Sequence, residues 1–387
     1  MIKNICVVTG TRAEYGLLKP LLDLITKSIS LNLQLLVTGA HLSPEFGLTY
    51  KSIEADGFSI DEKIEMLLSS DTATSIVKSM GLGMISYADA FERLKPDAIV
   101  ILGDRYEMLA IASAASVYKI PLVHLHGGEI TEGAYDDAFR HAITKLSHLH
   151  FTSTEDHRKR VIQLGENPDK VYNVGAIGLD NIINLKMLTK QEIEVELGIK
   201  FKKYNYQVTF HPETLSNISS AEQFQILLQA IEIQENSFFV FTKANADTDG
   251  RVINSMIDDF VQKYPEKAKA FTSLGSLRYL SLLKECDAVI GNSSSGIIEA
   301  PSLKVATINI GDRQKGRTQA ASVINCKVDY QQIKTAILKT QDREFKSELK
   351  SLRNPYGEGN TATKIIEVLE HTNWEDIKIK RFHNLKS

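Results

Sequence analysis

The chain reads as an α/β protein built from two tandem, doubly wound parallel sheets. Three observations predict this class: short apolar runs that do not alternate, amphipathic stretches of helical spacing between them, and a length of 387 residues. An unalternating apolar run suits a strand covered by helices on both faces, and a succession of strand, helix and strand places such strands parallel. The length exceeds that at which one hydrophobic core stops growing, so two domains are expected.

In the first half, Ile5–Thr9, Leu33–Thr38, Ala98–Leu102, Leu122–Leu125 and His150–Thr152 are the expected strands. Helical spacing marks Tyr15–Ser28, Ala73–Leu94, Glu107–Tyr118, Asp137–Leu146 and Glu155–Leu164, and Lys95-Pro96-Asp97 stops a helix ahead of a strand. A second series begins near residue 171. Its expected strands are Val208–Phe210, Phe238–Phe241, Ala288–Ile290 and Ala306–Ile310, with helices at Glu222–Gln234, Arg251–Lys263 and Leu277–Lys284. Residues 1–172 are thus expected to form one Rossmann-like domain and 173–360 another, with Gly175-Ala176-Ile177-Gly178 as a hinge. The segment 361–387 begins with a helix, expected to return to the first domain.

Composition narrows the function. A formal charge of −3 supplies no broad basic face, which argues against nucleic-acid binding, and 43% hydrophobic with 24% charged residues is a globular balance. Cys6, Cys286 and Cys326 lie far apart and read as reduced structural thiols. The N-terminal apolar run ends in Thr9-Gly10 without a signal-peptidase pattern, and no stretch is long enough to span a bilayer, so a soluble cytoplasmic protein without membrane partners is expected.

Ligands of open parallel sheets sit beyond the carboxyl ends of the strands, and the residues there are the candidates. Gly10-Thr11-Arg12-Ala13-Glu14-Tyr15-Gly16 lacks the GxGxxG spacing of a dinucleotide fold, which excludes hydride transfer, while Arg12 can fork onto a diphosphate or else pair with Glu14. Asn292-Ser293-Ser294-Ser295-Gly296, between a strand and a helix, gathers amides and hydroxyls for an anion, or is a plain helix cap. Glu299, one turn into that helix, suits ribose hydroxyls. Arg313, Lys315 and Arg317 add cations after the next strand; the latter two also read as a solvated charge run. His211, after Val208–Phe210, is a phosphate donor, an acid or a structural histidine. Three strand or helix ends bring acids together: Asp104, Glu129 and the Asp136-Asp137 pair, of which either aspartate also reads as a cap. His124 and His126 alternate on a strand and would share a face, but no third metal ligand stands at a suitable spacing.

These strings together resemble the hydrolysing UDP-N-acetylglucosamine 2-epimerases, most closely the bacterial enzymes of sialic acid synthesis. The likeness rests on TGTRAEYG at 9–16, GDRYE at 103–107, HGGE at 126–129, YDDAFRHAITK at 135–145, HPETLS at 211–216, GNSSSGIIEAPS at 291–302 and INIGDRQKGR at 308–317. It implies a GT-B fold with UDP in a central cleft, no metal or cofactor, and a homodimer or homotetramer. It assigns Ser293, Ser294 and Gly296 to the diphosphate turn, Glu299 to the ribose, and Arg12, His211 and Arg313 to the phosphates. Asp104 and Asp136 match the catalytic acids, with His211 and Glu129 as further catalytic candidates. Many relatives carry glutamate where this chain has His126, so that acid–base duty falls here on Glu129 or on His126 itself. The implied reaction eliminates UDP to a 2-acetamidoglucal and then hydrates it to N-acetylmannosamine. A UDP-2,4-diacetamido-2,4,6-trideoxyglucose substrate, a glycosyltransferase on the same fold and a catalytically silent sugar-nucleotide sensor are the competing readings.

Overall fold

The computed structural model describes residues 2–70, 72–131, 135–211, 218–243, 250–272 and 274–385. The chain divides into two compact units, residues 1–180 with 359–387, and residues 181–358.

The first unit holds a parallel sheet of seven strands: β1 (Lys3–Thr9), β2 (Leu31–Thr38), β3 (Glu62–Ile64), β4 (Ala98–Leu102), β5 (Leu122–Leu125), β6 (Leu149–Thr152) and β7 (Val171–Asn173). They lie in the order β3-β2-β1-β4-β5-β6-β7, so the winding reverses between β1 and β4. Both faces are covered. Val7, Leu35, Val100 and Phe151 pack on one side against Leu18, Leu22 and Ile25 of the helix Arg12–Lys27. On the other, Cys6, Leu36, Ile99 and Ile101 meet Tyr87, Phe91, Met108 and Ile111. This two-sided burial is why the strands carry no alternation.

The helix Thr361–His371 belongs to this unit and adds Ile365, Ile366 and Leu369 to the core that holds Leu18 and Leu22. Its nominal cap, Asn360, makes no side-chain capping bond. Asp180, far back in the chain, caps it instead, Oδ1 accepting the Thr361 N–H at 2.8 Å and Oδ2 the Ala362 N–H at 2.7 Å.

The second unit holds six parallel strands: β8 (Tyr204–Thr209), β9 (Ser237–Thr242), β10 (Ala268–Phe271), β11 (Ala288–Gly291), β12 (Ala306–Ile310) and β13 (Val323–Cys326). Their order, β10-β9-β8-β11-β12-β13, reverses between β8 and β11.

The strands β3, β7, β10 and β13 were not expected. They lie at or beside the sheet edges, are three or four residues long, and are mostly half exposed, so they carry little apolar signal. β8 begins at Tyr204, four residues before the expected Val208, because the buried Asn205 and Gln207 interrupt its apolar run, and it ends one residue short of Phe210. The three cysteines are buried and unpaired. Among the described residues no helix is long and apolar enough to cross a membrane.

Candidate active site

In both sheets the candidate residues follow the strands that flank the reversal or the strand next to them, and the loops of an open sheet part at the reversal to leave a crevice. In the first unit these are the turns after β1 and β4, with the neighbouring turn after β5.

After β1, Thr11 caps the helix Arg12–Lys27 in a capping box, and Glu14 Oε2 accepts the N–H groups of Gly10 at 2.7 Å and Thr11 at 3.2 Å. Glu14 therefore faces this turn and Arg105, 4.0 Å from its Oε1. Arg12 stands exposed at the first helical position. Burial pushes the Glu14 carboxyl up to about 7, against the opposing pull of Arg105. Arg105 also forks onto the wholly buried Glu107, at 3.2 Å and 3.0 Å.

Asp104, between Gly103 and Arg105, is bonded through Oδ2 to Arg140 Nη2. Arg140 is only 4% exposed and organises the acids around it: Nη1 donates to the Glu129 carbonyl at 3.0 Å and to Asp137 Oδ1 at 3.3 Å, and Nη2 to Thr131 Oγ1 at 3.1 Å. Asp137 accepts the Thr131 N–H at 2.7 Å as well, so it is fully engaged in holding this loop. Asp136, on the first turn of the helix Tyr135–Leu146, is half buried. Burial first, and then the negative charge of Asp104, lift its carboxyl to about 6, with Arg105 and Arg140 opposing.

Glu129, 5% exposed, accepts the Ser153 hydroxyl at 2.9 Å and lies 3.3 Å from His126 Nδ1. His126 Nε2 accepts the Ile177 N–H at 3.2 Å, so the neutral ring carries its proton on Nδ1, facing Glu129. The Gly127-Gly128 turn comes so near the helix Glu155–Gln163 that a Cβ on Gly128 would lie 2.4 Å from the His157 carbonyl, at φ +80°. Only glycine fits there.

The expectation that His124 and His126 share a strand face is corrected. β5 ends at Leu125, and His126 takes φ +64°, which turns its ring out of the alternation. His124 Nε2 instead lies 2.8 Å from the Gly103 carbonyl, its Nδ1 is 3.2 Å from Thr144 Oγ1, and burial drives its pKa down to about 3. It is a neutral core histidine. Among the described residues no group of three or more His, Cys, Asp or Glu could hold a metal ion.

In the second unit, β11 runs into Asn292 and Ser293, and Ser293 caps the helix Ser294–Ile298. That helix is only five residues long, so Glu299 sits at its C-terminal cap and not one turn inside it, a second correction. The Ser295 amide bonds Ser293 Oγ at 3.4 Å and the Gly296 amide bonds the Ser293 carbonyl at 3.2 Å, so both are already committed within the turn. Gly296 packs inward: a Cβ there would approach Thr307 Cγ2 to 2.6 Å. Its place is beneath the turn, letting the helix seat on β12. Burial raises the Glu299 carboxyl above its ordinary value, opposed by the Ser295 hydroxyl and Arg317.

His211 follows β8, and its imidazole is held down at about 4 by burial and by the nearby Arg313. In the absence of a bound anion it is neutral near pH 7. Arg313 Nη1 donates to the Asn292 carbonyl at 2.9 Å, beside Gln314 Nε2 at 2.8 Å. Residues 212–216 of the HPETLS string lie outside the described residues.

Each unit thus brings its own candidates together: Asp104, Glu129 and Asp136 in the first, and His211, Ser293, Ser294, Glu299 and Arg313 in the second. Sequence reading gave no role of their own to Arg140, Arg105 and Glu107, and took Asn292 only as part of the anion turn. Arg140 was visible as the residue one turn beyond Asp136, but its grip on Asp104 spans 36 positions.

The family model described as UDP-N-acetylglucosamine 2-epimerase matches residues 24–370. The chain is 47% identical over 384 residues to the Campylobacter jejuni GDP/UDP-N,N'-diacetylbacillosamine 2-epimerase (hydrolyzing), covering 99% of both chains. It is 44% identical over 370 residues to the Escherichia coli polysialic acid biosynthesis protein P7, covering 95% of this chain and 94% of that one. Its fold superposes with a TM-score of 0.81 on the Neisseria meningitidis UDP-GlcNAc 2-epimerase bound to UDP-GlcNAc, at 20% identity over 95% of this chain and 99% of that one. The fold class is accordingly the GT-B type with two Rossmann-like domains, and the chain belongs to the UDP-N-acetylglucosamine 2-epimerase family of sugar-nucleotide enzymes.

Proposed function

We propose that this enzyme converts UDP-N-acetylglucosamine and water to N-acetylmannosamine and UDP, the supply step for sialic acid synthesis, as a cytoplasmic homo-oligomer. The observation that carries the reading is Asp136, a carboxyl poised near 6 beside the Asp104–Arg140 pair, which suits proton transfer close to neutral pH.

The C2 hydrogen of the sugar is not acidic while C1 keeps its leaving group. Breaking the C1–O bond builds positive charge at C1 and makes the C2–H bond labile. Arg12, His211 and Arg313, with the Ser293 and Ser294 hydroxyls, take up the charge that grows on the β-phosphate, and Glu299 accepts from the ribose hydroxyls. Gly296 lets their turn sit close to the sheet. A carboxylate removes the C2 proton as UDP leaves with the C1–O electron pair, giving 2-acetamidoglucal. Water then adds its hydroxyl at C1, and C2 receives a proton on the face opposite to the one it lost, which inverts that centre. Two proton-handling groups are needed. Glu129 is assigned to elimination, with the His126 Nδ1–H holding its carboxylate in place, and Asp104 and Asp136 to hydration. Diphosphate beside His211 favours its protonated form, which lets it donate to the departing oxygen.

A second reading is supported by the 47% identity with the diacetylbacillosamine enzyme: the same chemistry on UDP-2,4-diacetamido-2,4,6-trideoxyglucose, which differs only at C4 and C6. Incubation with each UDP-sugar in D2O, followed by proton NMR of the free sugar, decides both points. Release of N-acetylmannosamine deuterated at C2 is expected. A product protonated at C2 rules out elimination, and turnover of the diacetamido substrate alone selects the second reading.

A further inference from the structure

We propose that Asn292 is a positioning residue that holds the anion-side groups of the second unit in register, acting through His211 and Arg313 without touching the substrate. The inference rests on the assignment of those two residues to the diphosphate.

Asn292 directly follows β11 and is wholly buried. The β8–β11 ladder ends where Thr209 faces Gly291, and Asn292 N–H still reaches the Thr209 carbonyl at 3.2 Å. Beyond that point the side chain takes over from the ladder. Its Oδ1 accepts the His211 N–H at 2.7 Å, and its Nδ2 donates to the His211 carbonyl at 2.9 Å, so both backbone groups of His211 are gripped by one carboxamide. The Asn292 carbonyl meanwhile receives Arg313 Nη1 and Gln314 Nε2, at 2.9 Å and 2.8 Å. One residue therefore joins the loops after β8, β11 and β12, three adjacent strands of the sheet.

A side chain that presents one acceptor and one donor side by side is required for this two-sided grip. Aspartate has the same shape but only acceptors when ionised, and its second oxygen would face the His211 carbonyl with like polarity. Leaving-group stabilisation depends on donors placed in advance to within about 0.5 Å. A loosened clamp lets His211 and Arg313 drift apart, and the loss falls on the step in which charge develops.

The test uses the full-length protein and compares Asn292→Asp with the parent in kcat, KM, calorimetric affinity for UDP, and melting temperature. The expected result is a fall in kcat of about 10- to 100-fold, larger than any change in KM. In a His211→Ala background the same substitution is expected to cost less than about threefold, since the imidazole that the side-chain clamp positions is already gone. Gln314→Met, which removes a single donor to the same carbonyl, is expected to give a loss of about threefold that is likewise absorbed by Arg313→Ala, and it decides the matter if Asn292→Asp does not fold. The inference is overturned if kcat and UDP affinity match the parent, or if the loss is undiminished in its double mutant, Asn292→Asp with His211→Ala or Gln314→Met with Arg313→Ala, as for a change that merely lowers stability. A parent protein that neither binds UDP nor turns over a UDP-sugar overturns the functional reading instead.

Discussion

Asp136 and Asp104 differ in kind although both are carboxylates beside cations. Asp104 is bonded to Arg140, while Asp136 is lifted by burial and by Asp104 itself. Their coupling makes a signed prediction: Asp104→Asn removes a neighbouring negative charge, so Asp136 ionises more easily and its pKa falls. The acidic limb of kcat/KM should then shift to lower pH than in the parent, alongside a loss in rate of about 10²–10⁴-fold for a proton-transfer group. Profiles from pH 4.5 to 8 check this, and a limb that stays in place removes Asp136 as its source. Both aspartates were legible in the sequence because acids at strand and helix ends are conspicuous. Their inequality was not, since it depends on Arg140, Arg105 and Glu107 arriving from other positions in the chain.

At the scale of elements, the helix Thr361–His371 shows how a distant residue completes a structure that its own sequence leaves open. Asn360 has φ +56° and no capping bond, and Asp180 supplies two acceptors from 181 and 182 positions away. Asp180→Ala strips both and leaves two buried N–H groups without partners. A loss of about 1–3 kcal/mol is expected, read as a lower midpoint in urea. Asp180→Asn, which keeps one acceptor, should recover about half of it. An unchanged midpoint for Asp180→Ala means that the helix is held by Ile365, Ile366 and Leu369 alone. The amphipathic pattern of this helix could be read directly, whereas the cap that starts it could not.

For the whole molecule, buried histidines dominate the response to acid. His41, His124, His148 and His211 are pushed by burial to about 4, 3, 4 and 4, below the ordinary value of 6.5. Between those values the unfolded chain binds protons that the folded one refuses, so this contribution to stability is lost as pH falls from about 6.5 toward 4. Glu14 and Asp136 work in the opposite sense, because their raised values let the folded state hold protons that the unfolded chain releases. The lowered histidines outweigh the raised carboxyls and leave a net loss on acidification, at most on the order of 2–3 kcal/mol per pH unit near pH 5.5. Melting temperatures from pH 7 to 4.5 should fall throughout, and a rise in that interval contradicts the account.

Sequence by itself determined the class of fold and the chemistry on offer. Strands buried on both faces must be written as apolar runs, so β1, β4, β5, β11 and β12 could be read from Ile5, Ala98, Leu122, Ala288 and Ala306 onward, and the loops after them announced their acids, serines and cations. Short strands near the edges, with half-exposed side chains, left no such imprint. Only tertiary structure set how the offered groups are held and in what state: Arg140 closing on Asp104, Asn292 clamping His211, His126 turned by its left-handed backbone toward Glu129, and His211 neutral under burial. The physical reason is common to all four. Desolvation and hydrogen bonding are set by neighbours many positions away, and the identity of a residue does not carry them.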